Sequence, residues 1–168
     1  MLVWIFGIGA MISLFLSHQG RTRKGILVGK LSADLFWSAH YICLGAFAGV
    51  IPNFVGIFRE LVFINRKRYK FANLALWPVV FIIINLTLGI LSFDAWYDIL
   101  PVTASAFVTL SLWIDNPWLT KCISIPVSSA FLFYDIFVGS YIGVLNEAIA
   151  IFSIILFFIR SKKNEQLL

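Results

Sequence analysis

Seven long apolar segments, separated by short polar junctions, constrain the fold of this chain more than any other feature. A helix needs about 20 residues to cross the hydrocarbon core of a bilayer. Because 61% of the 168 residues are hydrophobic and only 12% are charged, a soluble chain of this length could not bury its apolar surface. The sequence therefore predicts an all-α membrane protein that forms one domain over residues 1–168. We place its transmembrane helices at about 2–17, 25–44, 47–65, 71–92, 96–113, 119–138 and 141–160.

The basic residues support the count of seven and orient the chain. With seven crossings, every basic cluster falls on one side of the bilayer, and the positive-inside rule makes that side cytosolic. The opposite side has Asp94 and Asp98 in its loop. We therefore predict an N-terminus outside and a C-terminus in the cytosol. The clusters are Arg21, Arg23, Lys24 and Lys30; Arg66, Lys67, Arg68 and Lys70; Lys121; and Arg160, Lys162 and Lys163.

The net charge of +5 raises the question of a nucleic-acid partner, since basic patches neutralise phosphates. Here the basic residues fall in short clusters between apolar runs, which is typical of loops that face anionic lipids. We expect the bilayer, and no nucleic acid, as the partner. The sequence contains no nucleophile elbow, HExxH pair, phosphate-binding glycine loop or CxxC motif. It therefore predicts neither an enzyme nor a metal or cofactor site, and it leaves a homo-oligomer open.

An internal similarity is found when the chain is shifted by 94 residues against itself. The shift predicts a first repeat at about 1–66, a linker helix at about 71–92 and a second repeat at about 95–160. Three helices per unit and one linking helix make the repeats parallel in the membrane, a 3+1+3 arrangement. Coincidence among Ile, Phe and Gly is the alternative. The matched pairs are Ile42/Ile136, Gly45/Gly139, Gly49/Gly143, Val50/Val144, Ile57/Ile151, Phe58/Phe152, Phe63/Phe157 and Arg66/Arg160.

Polar residues inside the predicted helices are the candidate functional residues, because an ionisable group in a bilayer is costly. At 1.5 Å per residue, four of them lie at about 18 to 23 Å from the cytosolic helix ends. They are His40, Asn53, Asp135 and Glu147. We expect this layer to contact solute or protons; a purely structural layer is the alternative.

His40 alone would be an interfacial histidine bonded to a neighbour such as Tyr41. Beside Asp135 and Glu147 it becomes a candidate for proton exchange, since an imidazole near carboxylates can titrate around neutral pH. Trp37, one turn before His40, could offer a stacking face inside the bundle. We therefore add Trp37 to the predicted solute-binding residues.

A second group lies closer to the predicted cytosolic face. Asp34 and Arg59, on consecutive helices of the first repeat, are predicted to form an ion pair, since pairing lowers the cost of both charges. The pair could be an inner gate or a structural contact. Glu60 is one turn from the predicted cytosolic end of its helix, and we expect its carboxylate to extend into the interface.

Three stretches carry a family resemblance that covers nearly the whole chain. They are His40–Gly45 with the region through Arg59, the pair Leu100–Pro101, and the Gly-Ser-x-x-Gly-x-x-x-Glu run at 139–147. With them the chain resembles the YgjV family of bacterial inner-membrane proteins. The resemblance implies a location in the bacterial cytoplasmic membrane. The three-one-three layout is similar to that of the SWEET and PQ-loop transporters, which move sugars, amino acids and related solutes; this is an analogy of fold.

Two functions of different classes remain in view. The first is a transporter or facilitator for a small polar solute, such as a sugar, an amino acid or a nucleoside, with proton coupling left open. The second is a non-transporting sensor or scaffold that binds a lipid or a protein. A transporter predicts a cavity that reaches one face, whereas a scaffold predicts a closed and fully paired polar layer.

Overall fold

The computed structural model describes residues 1–19, 23–114 and 116–165, and the long elements in these ranges are seven α-helices. The predicted all-α fold and helix count are therefore confirmed. Of the basic residues used for orientation, Arg21 lies outside the described residues, as do the side chains of Arg23, Arg160, Lys162 and Lys163. The helices are α1 Leu2–Gln19, α2 Arg23–Leu44, α3 Phe47–Ile64, α4 Leu76–Leu91, α5 Ile99–Ile114, α6 Pro117–Val138 and α7 Tyr141–Glu165.

The lengths and compositions of several helices suit a membrane-spanning protein. Among the described residues, three stretches are long and apolar enough to cross a bilayer: Phe47–Ile64, Trp96–Ile114 and Trp118–Val138. Shorter apolar helices are found at Leu2–Ser17, Leu76–Leu91 and Tyr141–Leu156. The 22 residues of α2 include several charged ones, whose partners inside the bundle are described below.

The fourth helix begins later than predicted. Residues Phe71–Asn73 form a short 3₁₀ turn, and α4 starts at Leu76 rather than near residue 71. Pro78 explains the difference, because proline is tolerated in the first turn of a helix but would break one that began at 71. The indole of Trp77 donates a hydrogen bond to the Phe71 carbonyl at 2.7 Å, which holds the turn against the helix.

Two tight turns, α2–α3 and α6–α7, have the same geometry at positions 94 residues apart. Gly45 and Gly139 end their helices with φ angles of 70° and 72°, in the left-handed region that glycine enters without strain. The N–H of the next residue, Ala46 or Ser140, bonds to the carbonyl five positions back at 3.0 and 2.9 Å. Helix α2 therefore ends at the Gly45 turn, and α3 is a separate helix.

The helices pack in an order that also repeats. Within each set of three, the middle helix contacts both others: α2 packs on α1 and α3, and α6 packs on α5 and α7. Between the sets, α3 packs on α5 and α7 packs on α1, while α4 lies against α3 and α5. We call the end that holds Met1 and the α2–α3 and α6–α7 turns the N-terminal face. The end that holds the α3–α4 loop is the basic face. The division into two repeats and a linker stays a prediction.

Two apolar clusters fill the interior. The cluster nearer the N-terminal face contains small side chains that allow close helix approach, including Ala10, Ala33 and Ala48, together with aromatic residues. The cluster nearer the basic face is built by Leu27, Val55, Phe63 and Phe81. Because lipid gives helices no hydrophobic drive to associate, close packing and internal polar contacts must hold such a bundle together.

Candidate functional site

A hydrogen bond between α2 and α6 lies at the centre of the buried polar residues. The Tyr41 hydroxyl donates to Asp135 Oδ1 at 2.7 Å, and the two residues are 2% and 1% exposed. They are 94 residues apart, so the shift that relates the two turns also makes Tyr41 and Asp135 equivalent positions. A contact between equivalent positions is what a twofold axis produces. We call Tyr41, Asp135 and the residues bonded around them, His40, Tyr134 and Ser140, the axial network.

His40 is held by two hydrogen bonds and is fully buried. Its Nδ1 lies 2.8 Å from the Val3 carbonyl oxygen, and its Nε2 lies 2.8 Å from the Ser140 hydroxyl. Since a carbonyl oxygen only accepts, Nδ1 carries the hydrogen and donates it. In the neutral ring Nε2 is then the acceptor for Ser140. The rings of Trp37 and His40 pack edge to face, with 5.2 Å between ring centroids.

Tyr134 occupies the position equivalent to His40, again 94 residues on. Its hydroxyl accepts from the Gly49 backbone N–H at 2.8 Å and donates to the Ala46 carbonyl at 3.3 Å. Ala46 is the equivalent of Ser140, so His40 and Tyr134 each contact the turn of the other set of helices. The side chains differ, but one contact of each is equivalent: His40 bonds to Ser140, and Tyr134 bonds to Ala46.

Ser140 links the imidazole to the carboxylate. Its hydroxyl donates to His40 Nε2 at 2.8 Å and accepts from the Gly143 backbone N–H at 3.2 Å. A Cβ on Gly143 would collide with both the Ser140 hydroxyl and the Asp135 carboxylate, so the carboxylate lies beside this hydroxyl. Ser140 therefore holds His40 next to the Tyr41–Asp135 contact.

Two cavities open on the N-terminal face next to this network, with volumes of about 250 and 240 Å³. Tyr134 lines the first and His40 lines the second. All eight residues of the second become lining residues of the first when shifted by 94. The second is lined by Met1, Val3, Trp4, His40, Leu44, Gly139, Tyr141 and Ile142. Their counterparts are Ala95, Tyr97, Asp98, Tyr134, Val138, Gly45, Phe47 and Ala48.

Asn53 and Glu147 are also equivalent positions, and each has partners close in sequence. The Asn53 amide donates to the Gly49 carbonyl at 2.8 Å, which ties it to the residue that holds Tyr134. Glu147 Oε1 accepts from the Asn146 amide at 2.9 Å. Asn53 and Glu147 each lie one turn after an equivalent glycine, Gly49 or Gly143, at the edge of the axial network.

Nearer the basic face is a second group, which we call the charged cluster: Lys30, Asp34, Arg59 and Glu60. Arg59 Nη2 lies 3.6 Å from Asp34 Oδ2 and 3.0 Å from Glu60 Oε1. Lys30 Nζ is 3.4 Å from Asp34 Oδ1. On the other side, Arg59 Nη1 donates to hydroxyls of α5, at 3.0 Å to Thr109 and 3.5 Å to Ser105.

The expectation that Glu60 reaches the membrane interface was wrong. Glu60 is 0% exposed, and its Oε1 accepts from Arg59 Nε and Nη2. The periodicity of α3 explains this, because Gly56, Arg59, Glu60 and Phe63 lie on one buried stripe at helical spacing. Gly56 leaves the room that the cluster needs, since a Cβ there would collide with the Asp34 carboxylate.

The sequence predicted seven site residues, and in the structure they fall into two separate groups. The structure brings Trp37, His40 and Asp135 into one network, places Asn53 and Glu147 at its edge, and puts Asp34 and Arg59 in the charged cluster. The sequence prediction missed Tyr134 and Ser140, whose residue types are ordinary in membrane helices. Ser140 lies in the Gly-Ser-x-x-Gly-x-x-x-Glu run at 139–147, and Tyr134 is 94 residues from His40. Among the described residues, no three metal-ligating side chains lie close enough to hold a metal ion.

Comparison with known proteins gives the family. A family model described as Imp-YgjV, bacterial inner membrane protein, matches residues 1–165. The chain belongs to the YgjV family. No curated protein and no solved structure matched the chain. The resemblance carried by the three sequence stretches is therefore confirmed, and so is the bacterial inner membrane as the location.

Membership of the YgjV family agrees with the distribution of side chains. Large apolar residues are exposed along the outer surface of every described helix, whereas Asp34, Arg59 and Glu60 of this YgjV protein are buried and joined by ion pairs. In a bilayer such an arrangement keeps ionised groups away from lipid. The axial network and the charged cluster therefore form the polar interior of an inner-membrane bundle.

Removing the hydroxyl at the axis tests the network. Tyr41→Phe is expected to lower the free energy of unfolding by about 1–3 kcal/mol, because a buried carboxylate loses its donor. Thermal unfolding of the purified protein in detergent measures the change. Tyr97→Phe is the matched control, since no hydrogen bond ties the Tyr97 hydroxyl to another described residue. Equal stability of both variants would show that the Tyr41 contact is not formed.

Proposed function

We propose that this protein is a transporter or facilitator for a small polar solute, with a path between the two sets of three helices. The observation that carries the proposal is the contact of Tyr41 with Asp135 at the pseudo-twofold axis, beneath two equivalent cavities on the N-terminal face. Polar groups in the centre of a membrane bundle usually mark a solute or ion pathway. The three-one-three layout, similar to that of SWEET and PQ-loop transporters, also supports it.

In this proposal the molecule is in a closed state. The axial network seals the cavities from the interior, since His40, Tyr41 and Asp135 are all buried. The charged cluster closes the other half of the path, where Arg59 joins α2, α3 and α5. Transport requires the two barriers to open in turn. Asp34 and Arg59 then act as the inner gate, and Trp37, His40, Asn53, Asp135 and Glu147 line the path.

The solute contacts available in such a path are hydroxyl, imidazole and carboxyl groups beside aromatic faces. These groups suit a sugar, an amino acid or a nucleoside, which combine hydrogen-bonding groups with apolar surface. We propose no enzymatic activity, no nucleic-acid partner and no cofactor. The proposed orientation puts the N-terminal face outside the cell and the C-terminus in the cytosol, because exposed Lys67, Arg68 and Lys70 lie at the other end of the bundle.

Osmotic swelling of proteoliposomes tests the proposal and does not require the solute to be identified first. Vesicles that contain the purified protein are diluted into isosmotic sugars, amino acids or nucleosides, and light scattering follows solute entry. At least one solute is expected to enter faster than into protein-free vesicles. His40→Ala and Glu147→Gln are expected to abolish that entry at unchanged protein content. Lys70→Gln, on the exposed loop, should retain it.

The alternative is a non-transporting sensor or scaffold, and the complete burial of the axial network favours it. In that case every solute in the panel enters proteoliposomes and protein-free vesicles at the same rate. The same outcome overturns the transporter. If instead proteoliposomes with His40→Ala or Glu147→Gln swell as those with the wild type do, the transporter proposal stands but its path does not include these residues.

A further inference from the structure

The α3–α4 loop on the basic face is fastened to the helices around it. Arg66 Nε donates to the Asn73 side-chain oxygen at 2.9 Å, and Arg66 Nη1 donates to the Trp113 carbonyl of α5 at 2.7 Å. The guanidinium also lies over the Trp113 ring, 3.8 Å from its centroid, a cation–π contact. Trp77 of α4 fixes the other end of the loop through its bond to the Phe71 carbonyl. The loop is therefore an ordered surface.

This surface presents three exposed cations. Lys67, Arg68 and Lys70 are all exposed, and none of them forms an ion pair with a described residue. Residues 61–93 contain no Asp or Glu, so the loop and the helix after it supply no anion of their own. The loop is therefore a patch of positive charge that its own part of the chain does not neutralise.

Exposed apolar side chains border the three cations. Tyr69, Phe71, Leu74 and Leu76 are each between 45% and 63% exposed. The ring of Phe71 is also 6.2 Å from that of Trp77, at the start of α4. Aromatic residues are enriched at the depth where lipid head groups meet acyl chains. A ligand that covers this surface must therefore combine an anionic group with apolar chains.

An anionic phospholipid meets both requirements. A free phosphate ion has no apolar part to cover the border. A zwitterionic phospholipid brings an ammonium group, which the cations of the loop repel. In the proposed orientation the loop faces the cytosolic leaflet, where anionic lipids attract Lys and Arg near the surface.

We propose that the α3–α4 loop is a binding site for an anionic phospholipid. The phosphate of the head group contacts Lys67, Arg68 and Lys70, and the acyl chains lie against Phe71 and Leu74. The proposal goes beyond a general attraction of basic loops to membranes, because it gives this loop a preference for one class of lipid. The site lies outside the proposed solute path and does not depend on transport.

Native mass spectrometry of the purified full-length protein, released from nonionic detergent, tests the site. Phosphatidylglycerol or phosphatidylcholine with the same acyl chains is added, and the fraction of protein with bound lipid gives each dissociation constant. Phosphatidylglycerol is expected to bind more tightly. Each cation near an anionic lipid strengthens binding about fivefold. Replacing Lys67, Arg68 and Lys70 together by Gln should therefore weaken phosphatidylglycerol binding about a hundredfold.

Lys24→Gln is the matched control for Lys67→Gln. Lys24 is exposed at the start of α2, on the same face but outside the loop, so each variant removes one exposed cation. Lys67→Gln is expected to weaken phosphatidylglycerol binding about fivefold, and Lys24→Gln to leave it unchanged. Lys67→Arg keeps the charge and should keep the binding. Thermal unfolding without added lipid shows that each variant is folded.

Three outcomes would overturn the proposal: equal affinity for the two lipids, unchanged affinity when all three cations are replaced, or equal losses in Lys67→Gln and Lys24→Gln. Sodium phosphate should displace no more phosphatidylglycerol than sodium chloride of the same ionic strength. Stronger displacement by phosphate would indicate a site for a free anion and also overturn the proposal. Failure of every solute to enter proteoliposomes would reject the transporter and leave lipid binding unaffected.

Discussion

Arg59→Met is expected to lower the free energy of unfolding by about 3–5 kcal/mol, the cost of breaking a buried ion pair from one side. The guanidinium contacts Asp34, Glu60 and Thr109 and is 2% exposed. Methionine fills a similar volume but leaves Glu60 without a cation, Asp34 with Lys30 alone, and two α5 hydroxyls without their donor. Thermal unfolding in detergent and the amount of folded protein in membranes measure the effect.

Two further variants separate charge from packing. Arg68→Met, in the exposed α3–α4 loop, removes the same charge and should change stability little, since exposed ion pairs and charges contribute little. Adding Asp34→Asn and Glu60→Gln to Arg59→Met should recover most of the loss, because the uncompensated carboxyl groups are then gone. If Arg59→Met unfolds at the wild-type temperature, the charged cluster does not hold α2, α3 and α5 together.

Gly143→Ala is expected to lower the free energy of unfolding by about 1–3 kcal/mol, through overpacking at the start of α7. A Cβ at this position would collide with the carboxylate of Asp135 and with the Ser140 hydroxyl. Both groups belong to the axial network, so the helices must separate or the bonds to Tyr41 and His40 must break. Loss of thermal stability and of membrane abundance measures the change.

The equivalent glycine and a distant one serve as comparisons. Gly49→Ala should have a similar cost, because its Cβ would lie 2.8 Å from Tyr134 Cε1 and 2.9 Å from the Tyr41 ring. Gly9→Ala should cost less, since its Cβ would meet only the ring of Phe36 at 3.0 Å, and that half-exposed side chain can move. Equal losses at Gly9 and Gly143 would mean that any added methyl group is harmful, and the contact with Asp135 would have no special role.

The sequence predicted the helices closely, because apolar length and basic junctions are properties of consecutive residues. Gly45 and Gly139 could also be assigned, since both end a helix and both occur in the 94-residue match. The start of α4 lies five residues after the predicted one, because the apolar run was taken to begin near residue 71, whereas Pro78 fits only the first turn of the helix. A helix start is hard to place from sequence where the apolar run begins before the helix does.

The polar interior was only partly predictable. The depth of a residue in the membrane can be calculated from its position along a helix, since the rise per residue is fixed. This depth identified His40, Asp135 and the pair Asp34 and Arg59 as polar residues inside the bilayer. Glu60 was misplaced because it lies one turn from a helix end, a position that suggests the membrane interface. Its place on the buried stripe of α3 instead directs its side chain into the bundle. Tyr134 and Ser140 could not be assigned to the interior from residue type, because a tyrosine or serine is tolerated in lipid-facing and interior positions alike.

The sequence by itself determined an all-helical bundle of seven helices, its family and its inner-membrane location, since these follow from local apolarity and from residue patterns. Only the tertiary structure decided which polar groups meet. Tyr41 contacts Asp135 across 94 residues and Tyr134 bonds to Gly49 across 85, because rotation of each helix about its axis is set by packing against its neighbours. Helix rotation depends on every contact at once, and no single segment of the chain contains that information.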